Sequence, residues 1–131
     1  MSPENLATIH SVYEAMNQRD MAALERLADE HPEYRWRNSS DMVEPDVREG
    51  PQSTLSYVAG LFETFGEMHT VIEEVQDHGP DAAIFVVRHW VRGAASGAEG
   101  KRSEVHLWRA RDGKVVGLEE FLTLDEARAA V

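Results

Sequence analysis

The sequence predicts an α+β fold, with about three N-terminal helices packed on one face of a curved antiparallel sheet. Three observations carry it. Apolar residues recur at helical spacing through most of the first half of the chain and at strand spacing through the second, and Asp112-Gly113 joins the last two strand-like runs as a two-residue hairpin. No repeat, low-complexity tract or linker divides the 131 residues, so the chain reads as a single domain, 1–131.

The first helix is read from Leu6, Ile9, Val12, Tyr13 and Met16, with Ser2 as N-cap and Pro3 at the first helical position. Asn17-Gln18-Arg19-Asp20 interrupts it, and Asp20 caps a second helix carrying Met21, Leu24 and Leu27. From Glu33 to Arg37 the pattern is extended, and Asn38 to Gly50, which holds Pro45, reads as a loop. Gly50-Pro51 opens a third helix with Leu55, Val58, Phe62 and Phe65 on one face and Gly66 as its stop. Strands are expected at Met68–Gln76, at Ala82–Arg92 (rich enough in Ile, Val, Phe and Trp for burial on both faces), at Glu104–Arg111 and at Lys114–Leu122. Thr123-Leu124-Asp125-Glu126 has capping-box spacing before an Ala-rich helical end.

Composition narrows the functional classes. Thirteen basic against 24 acidic residues leave a net charge of −11, which argues against nucleic acid or an anionic membrane as partner. The absence of cysteine excludes disulfides, thiolate metal sites and cysteine nucleophiles. There is no apolar run long enough to span a bilayer, and Met-Ser-Pro-Glu-Asn lacks the start of a signal peptide, so a cytoplasmic protein is expected. The six histidines fall in no compact ligand spacing such as His-Glu-x-x-His, so neither metal nor cofactor is expected.

Tyr13-Glu14-Ala15-Met16-Asn17-Gln18-Arg19-Asp20, Ser96-Gly97, and Trp108 through Asp112-Gly113-Lys114-Val115-Val116 to Glu119-Glu120-Phe121 follow one another in a familiar order. In them the chain resembles the nuclear transport factor 2-like superfamily, particularly its SnoaL-like polyketide-cyclase branch. The resemblance implies a cone, in which the sheet wraps around the helices and leaves an apolar cavity open at one end, and a homodimer through the outer sheet face. The superfamily holds enzymes, binding proteins and accessory dimerisation domains, so the fold alone assigns no activity.

Alternation along the last strand puts Val116, Leu118, Glu120 and Leu122 on one face, assigned to the cavity. Cyclases and epoxide hydrolases of the superfamily carry an acid/base aspartate seven residues beyond the hairpin glycine, and that count from Gly113 reaches Glu120. A carboxyl among apolar groups is desolvated, which raises its pKa and suits it to proton transfer; a solvated or arginine-bound glutamate is the plain alternative. His106 shares a face with Glu104, Trp108 and Ala110, and His89 with Phe85, Val87 and Val91. Both are candidates to shuttle protons or steady an oxyanion beside Glu120, or else are buried neutral imidazoles. Tyr13, Trp36, Phe62, Phe85, Trp108 and Leu118 are candidates to line the cavity and stack on a planar ligand, or to be plain core.

The catalytic set of the steroid-isomerase branch is missing, because its helix-one tyrosine aligns with Val12 and its general base falls near Arg35 or Trp36. Of the epoxide hydrolases' Asp-Arg-Asp set only Glu120 matches, the other positions reading as Val87 and His89. Trp90 and Phe121 fall on the outer face, where a dimer would bury them. The expected function is cofactor-independent acid/base chemistry on a small hydrophobic carbonyl compound. A binding protein for an apolar ligand and a dimerisation module are the alternatives.

Overall fold

The computed structural model describes residues 1–38 and 47–131. Pro45 and its neighbours in the polar segment, 39–46, lie outside the described residues. The elements are α1 (Pro3–Gln18), α2 (Met21–Glu30), β1 (Arg35–Arg37), β2 (Val47–Glu49), α3 (Pro51–Thr64), β3 (Phe65–Asp77), β4 (Ala82–Gly93), β5 (Glu99–Arg111), β6 (Lys114–Phe121) and α4 (Leu124–Ala130).

Local chemistry sets the helix ends. The Ser2 hydroxyl accepts from the Asn5 N–H, the Asp20 carboxylate from Ala23 and the Thr123 hydroxyl from Glu126, so each supplies a partner for an N–H that the helix cannot satisfy. Helix α3 stops at Thr64, before the expected Gly66, and Phe65 already begins a strand. Val47–Glu49, read from sequence as loop, pairs with β1. Strands β3 and β5 start earlier than expected, at Phe65 and Glu99, and the first residues of β5 are polar.

Six strands form one sheet in the order β2-β1-β6-β5-β4-β3. It is mixed rather than wholly antiparallel: β1 runs parallel to β6, with Trp36 beside Leu118, and all other pairs are antiparallel. Gly117 makes room for this pairing, since a Cβ there would stand 3.2 Å from the Arg35 carbonyl oxygen. The sheet is curved and unclosed, with register shifts in β3 and at Arg109/Ala110 of the β5–β6 pair. Asp112 and Gly113 both take positive φ, 52° and 75°, as a type I′ hairpin turn requires.

The shift at Arg109/Ala110 changes the reading of β6. Arg109 pairs with Gly117 but Ala110 pairs with Val115, leaving Val116 as an extra residue. Simple alternation therefore fails across it, and Val115 rather than Val116 joins Leu118 and Glu120 on the inner face. Leu122 lies past the strand and is 43% exposed.

Two cores result. On the inner face Ile9 and Tyr13 pack against Ala83, Phe85, Val87, Trp108, Val115 and Leu118. On the outer face Ala82, Ile84, Val105 and Leu107 are covered by Ala127, with Leu124 and Phe121 against them. Phe121 is half-buried and packs within its own chain under α4. Trp90 remains farther along β4, stacked on His69 with the Arg92 guanidinium 5.3 Å from its ring centroid. Among the described residues no helix is long and apolar enough to cross a membrane.

Candidate active site

A pocket of about 380 Å³ lies between the first three helices and the inner sheet face, within the size range of small-molecule sites. Apolar side chains such as Val12, Met16, Leu24, Val58 and Leu61 form much of its wall. Its polar side is built by strand register. Strand β5 offers every second residue inward, Arg102, Glu104, His106 and Trp108; His89 of β4 lies opposite Arg102, and Glu120 of β6 opposite His106.

Glu104, His106 and Glu120 are only 5%, 4% and 9% exposed. The His89 Nε2 is 2.6 Å from Glu104 Oε2, while the other carboxylate oxygen faces Arg102 Nη2 at 3.5 Å. His106 Nε2 stands 3.6 Å from Glu104 Oε2 and 3.9 Å from Glu120 Oε2, and has no hydrogen-bond partner among the described residues. The indole N–H of Trp36 donates to Glu120 Oε1.

Both imidazoles are fixed from behind. The Trp108 indole N–H donates to the Tyr13 hydroxyl at 2.8 Å, and that hydroxyl lies 2.7 Å from His106 Nδ1. The Thr70 hydroxyl lies 2.8 Å from His89 Nδ1. The Thr70 backbone is held by Asn17, whose amide donates to its carbonyl at 2.9 Å and accepts from its N–H at 2.8 Å. Two tautomers fit His106. If Tyr13 donates, Nε2 carries the hydrogen; if Nδ1–H donates, Nε2 presents a lone pair.

The two carboxyl groups behave oppositely. Burial raises Glu120, and the hydrogen bond and charge of Glu104 raise it further; the Trp36 indole and Arg102 oppose this, and the result is a pKa pushed up to about 9. Burial would also raise Glu104, but the imidazoles of His106 and His89 and the Glu120 proton outweigh it and hold that carboxyl well below its usual range. Burial lowers His106 and keeps it neutral. At neutral pH these shifts favour a protonated Glu120 against an ionised Glu104.

Of the residues singled out from sequence, Glu120, His106 and His89 meet here, and Tyr13, Trp36, Trp108 and Leu118 line the pocket. Two do not. Phe85 is fully buried behind Tyr13, its ring stacked at 5.6 Å, and Phe62 lies under the Arg19 guanidinium at 5.0 Å. Sequence reasoning passed over Glu104, Arg102, Thr70 and Tyr34. The alternation Arg102-x-Glu104-x-His106-x-Trp108, against Val105 and Leu107 on the other face, was the signal for the first two. It also corrects the earlier count. The structure supplies a carboxyl–arginine–carboxyl set at Glu104, Arg102 and Glu120, one strand beyond Val87 and His89. Nor does the lack of local histidine spacing exclude a metal, since atoms of His89, Glu104 and His106 gather within 4.8 Å of one another across two strands.

The SnoaL-like domain family matches residues 9–118 of the chain. No curated protein matches it. Among solved structures, a candidate SnoaL-like polyketide cyclase from a Jannaschia species is 21% identical, with a TM-score of 0.77 over 100% of this chain and 95% of that one. TerC, co-crystallised with polyporic acid, is 20% identical, with a TM-score of 0.76 over 96% of both chains. An epoxide hydrolase from Mycobacterium tuberculosis, of the LEH-like type, is 10% identical, with a TM-score of 0.73 over 96% and 87%. At these identities the likeness is one of fold.

Proposed function

The chain belongs to the SnoaL-like domain family, and from that premise we propose that it is an enzyme of cofactor-independent acid/base chemistry, acting on a small hydrophobic carbonyl compound. The observation that carries this reading is the buried Glu104–Glu120 pair at the polar side of an apolar pocket, where burial and Glu104 push Glu120 up. Glu120 gives its proton to the carbonyl oxygen while Glu104 accepts one from the adjacent carbon, forming an enol. Return of both protons restores the pair, and so does attack of the enol carbon on a second carbonyl of the substrate, which breaks that C=O π bond as its oxygen takes the proton from Glu104 and the enol O–H proton returns to Glu120. His106, neutral and tied to Tyr13, orients the oxygen. Tyr13, Trp36 and Trp108 supply flat apolar surface for a planar substrate.

The test uses a panel of aromatic polyketones and cyclic ketones in deuterated water, with α-hydrogen exchange followed by NMR. Exchange accelerated by the protein and lost in Glu120→Gln supports the reading. Equal exchange by both proteins overturns the role of Glu120, and binding without exchange by either moves the chain to the ligand-binding class.

Arg102 favours a second reading. A carboxyl acid and a carboxylate base beside an arginine also suit ring opening of an epoxide, with Glu120 protonating the ring oxygen and Glu104 activating water. Diol formation from terpenoid epoxides, abolished by Glu104→Gln, separates this reading from the first.

A further inference from the structure

We propose that His89, Glu104 and His106 form a binding site for a divalent first-row transition cation of zinc-like ligand preference. The proposal does not rest on the proton-transfer reading, which belongs to the metal-free protein because a cation on Glu104 occupies the proton acceptor; it rests on how the two imidazoles are oriented and supported.

Three donor atoms converge on one point from two neighbouring strands. His89 Nε2 and His106 Nε2 stand 2.6 Å and 3.6 Å from the same oxygen, Glu104 Oε2, and the ligand atoms of all three residues lie within 4.8 Å of one another. Ligands bound to zinc at about 2.0–2.1 Å are separated by about 3.3 Å in a tetrahedron, so shifts of roughly an ångström complete the set. The other Glu104 oxygen faces Arg102, which leaves Oε2 for the cation.

The second observation is the buried His106 Nε2. It has no hydrogen-bond partner among the described residues, although the side chain is only 6% exposed and points at the carboxylates. A buried polar atom of this kind calls for an explanation, and a metal lone-pair donor is one. The third is what stands behind each ring. Metal-bound imidazoles generally donate their remote N–H to an oxygen, which fixes the tautomer. Here Tyr13 Oη lies 2.7 Å from one Nδ1 and Thr70 Oγ1 lies 2.8 Å from the other. Both oxygens are themselves held, Tyr13 by Trp108 and Thr70 through Asn17.

Two imidazoles and a carboxylate suit zinc, iron(II), nickel or copper better than the all-oxygen preference of magnesium or calcium. The three residues line the pocket, so the remaining coordination positions face the space that a water or a substrate oxygen would occupy.

The full chain, stripped with chelator, is loaded with zinc chloride, desalted and assayed by elemental analysis; cobalt(II) loading gives a visible spectrum. One zinc per chain, with the intense d–d absorption of four- or five-coordinate cobalt, is expected. His89→Gln and His106→Gln lose the metal, whereas the double variant His10→Gln, His78→Gln keeps it. Thr70→Val, which leaves all three ligands in place, weakens zinc about 10- to 100-fold. It remains informative if His106→Gln fails to fold. The proposal is overturned if the desalted wild type retains no zinc, or if His89→Gln and His106→Gln retain as much as the wild type. Since these readouts are metal content and spectrum, their failure leaves the exchange assay on Glu120 untouched.

Discussion

Strands β4 and β5 are built differently at their two ends. Toward the β5–β6 hairpin they carry apolar residues on both faces: Ala83, Phe85 and Trp108 inward, Ala82, Ile84 and Leu107 outward under α4. Toward the opposite end the same two strands carry His89, Arg102 and Glu104 inward, with Arg88 and Lys101 on the exposed side. Both ends are continuous sheet, so backbone pairing does not distinguish them. Desolvation does. The apolar end gains from burial, while the polar end buries carboxyl groups at a cost that their contacts with each other and with Trp36, His89 and Arg102 offset. An apolar end closed by helices on both sides can hold such a cluster in place without contributing chemistry of its own.

The contrast can be broken from either side. The largest effect is expected from Glu120→Gln, which keeps shape and hydrogen bonding but removes the transferable proton. Turnover of an identified substrate should fall roughly 10²- to 10⁴-fold with the circular dichroism spectrum unchanged. At the other end, Ile84→Ala empties part of the core beneath α4, where the residue is fully buried. It should cost about 2–5 kcal/mol in urea unfolding, yet leave turnover per folded molecule as it was. A large loss of turnover at unchanged stability would show that the two ends are not separable.

Tyr13→Phe probes the seam between them. The ring and its packing on Phe85 remain, but Trp108 loses its acceptor and His106 its partner. A loss of about 1–3 kcal/mol, together with a smaller fall in turnover than for Glu120→Gln, is expected from the unsatisfied indole N–H. An unchanged melting temperature would mean that the seam bears no load.

The finest measurement is the melting temperature of wild type and Glu120→Gln across pH. The folded protein keeps the Glu120 proton up to about pH 9, whereas an unfolded chain releases it near the ordinary value of about 4.3. Between these values the folded state binds more protons, so this residue lowers stability progressively as pH rises. Glu104 has the opposite sign, its folded pKa being depressed: its contribution is present above the unfolded value and is lost as pH falls through the folded one. The variant should therefore gain on the wild type from about pH 5 towards pH 9. A gap that stays constant over this window would remove the buried proton from the account.

Much of this was legible in the residues. Ser2, Asp20 and Thr123 announce helix starts because a cap acts within one turn, and Asp112-Gly113 announces a hairpin for the same local reason. The pairing of β1 with β6 was not legible, since Arg35–Arg37 and Gly117–Glu119 lie about eighty residues apart and three residues carry little pattern. Helix α4 was readable as a helix but not as a lid on Ile84 and Leu107. Glu120 was found through a count from the hairpin; Glu104 was seen on the right face and not chosen, because its role depends on contacts with His89, Arg102 and Glu120 from three positions on the sheet.

The extra residue at Val116 also bears on how relatives of this chain are to be compared. It lies between the hairpin glycine and the acid, so the distance from Gly113 to Glu120 includes one residue that advances the chain without advancing the pairing. A homologue with an unbulged hairpin would present its equivalent carboxyl one residue closer to the glycine, and an alignment that keeps the count constant would pair it with a side chain on the opposite face. Deleting Val116 would restore a regular strand, with Val115, Leu118 and Glu120 still on the inner face opposite Ala110, Trp108 and His106. A deletion beyond the bulge, between Gly117 and Glu120, would instead shift the phase and turn Glu120 outward without substituting it.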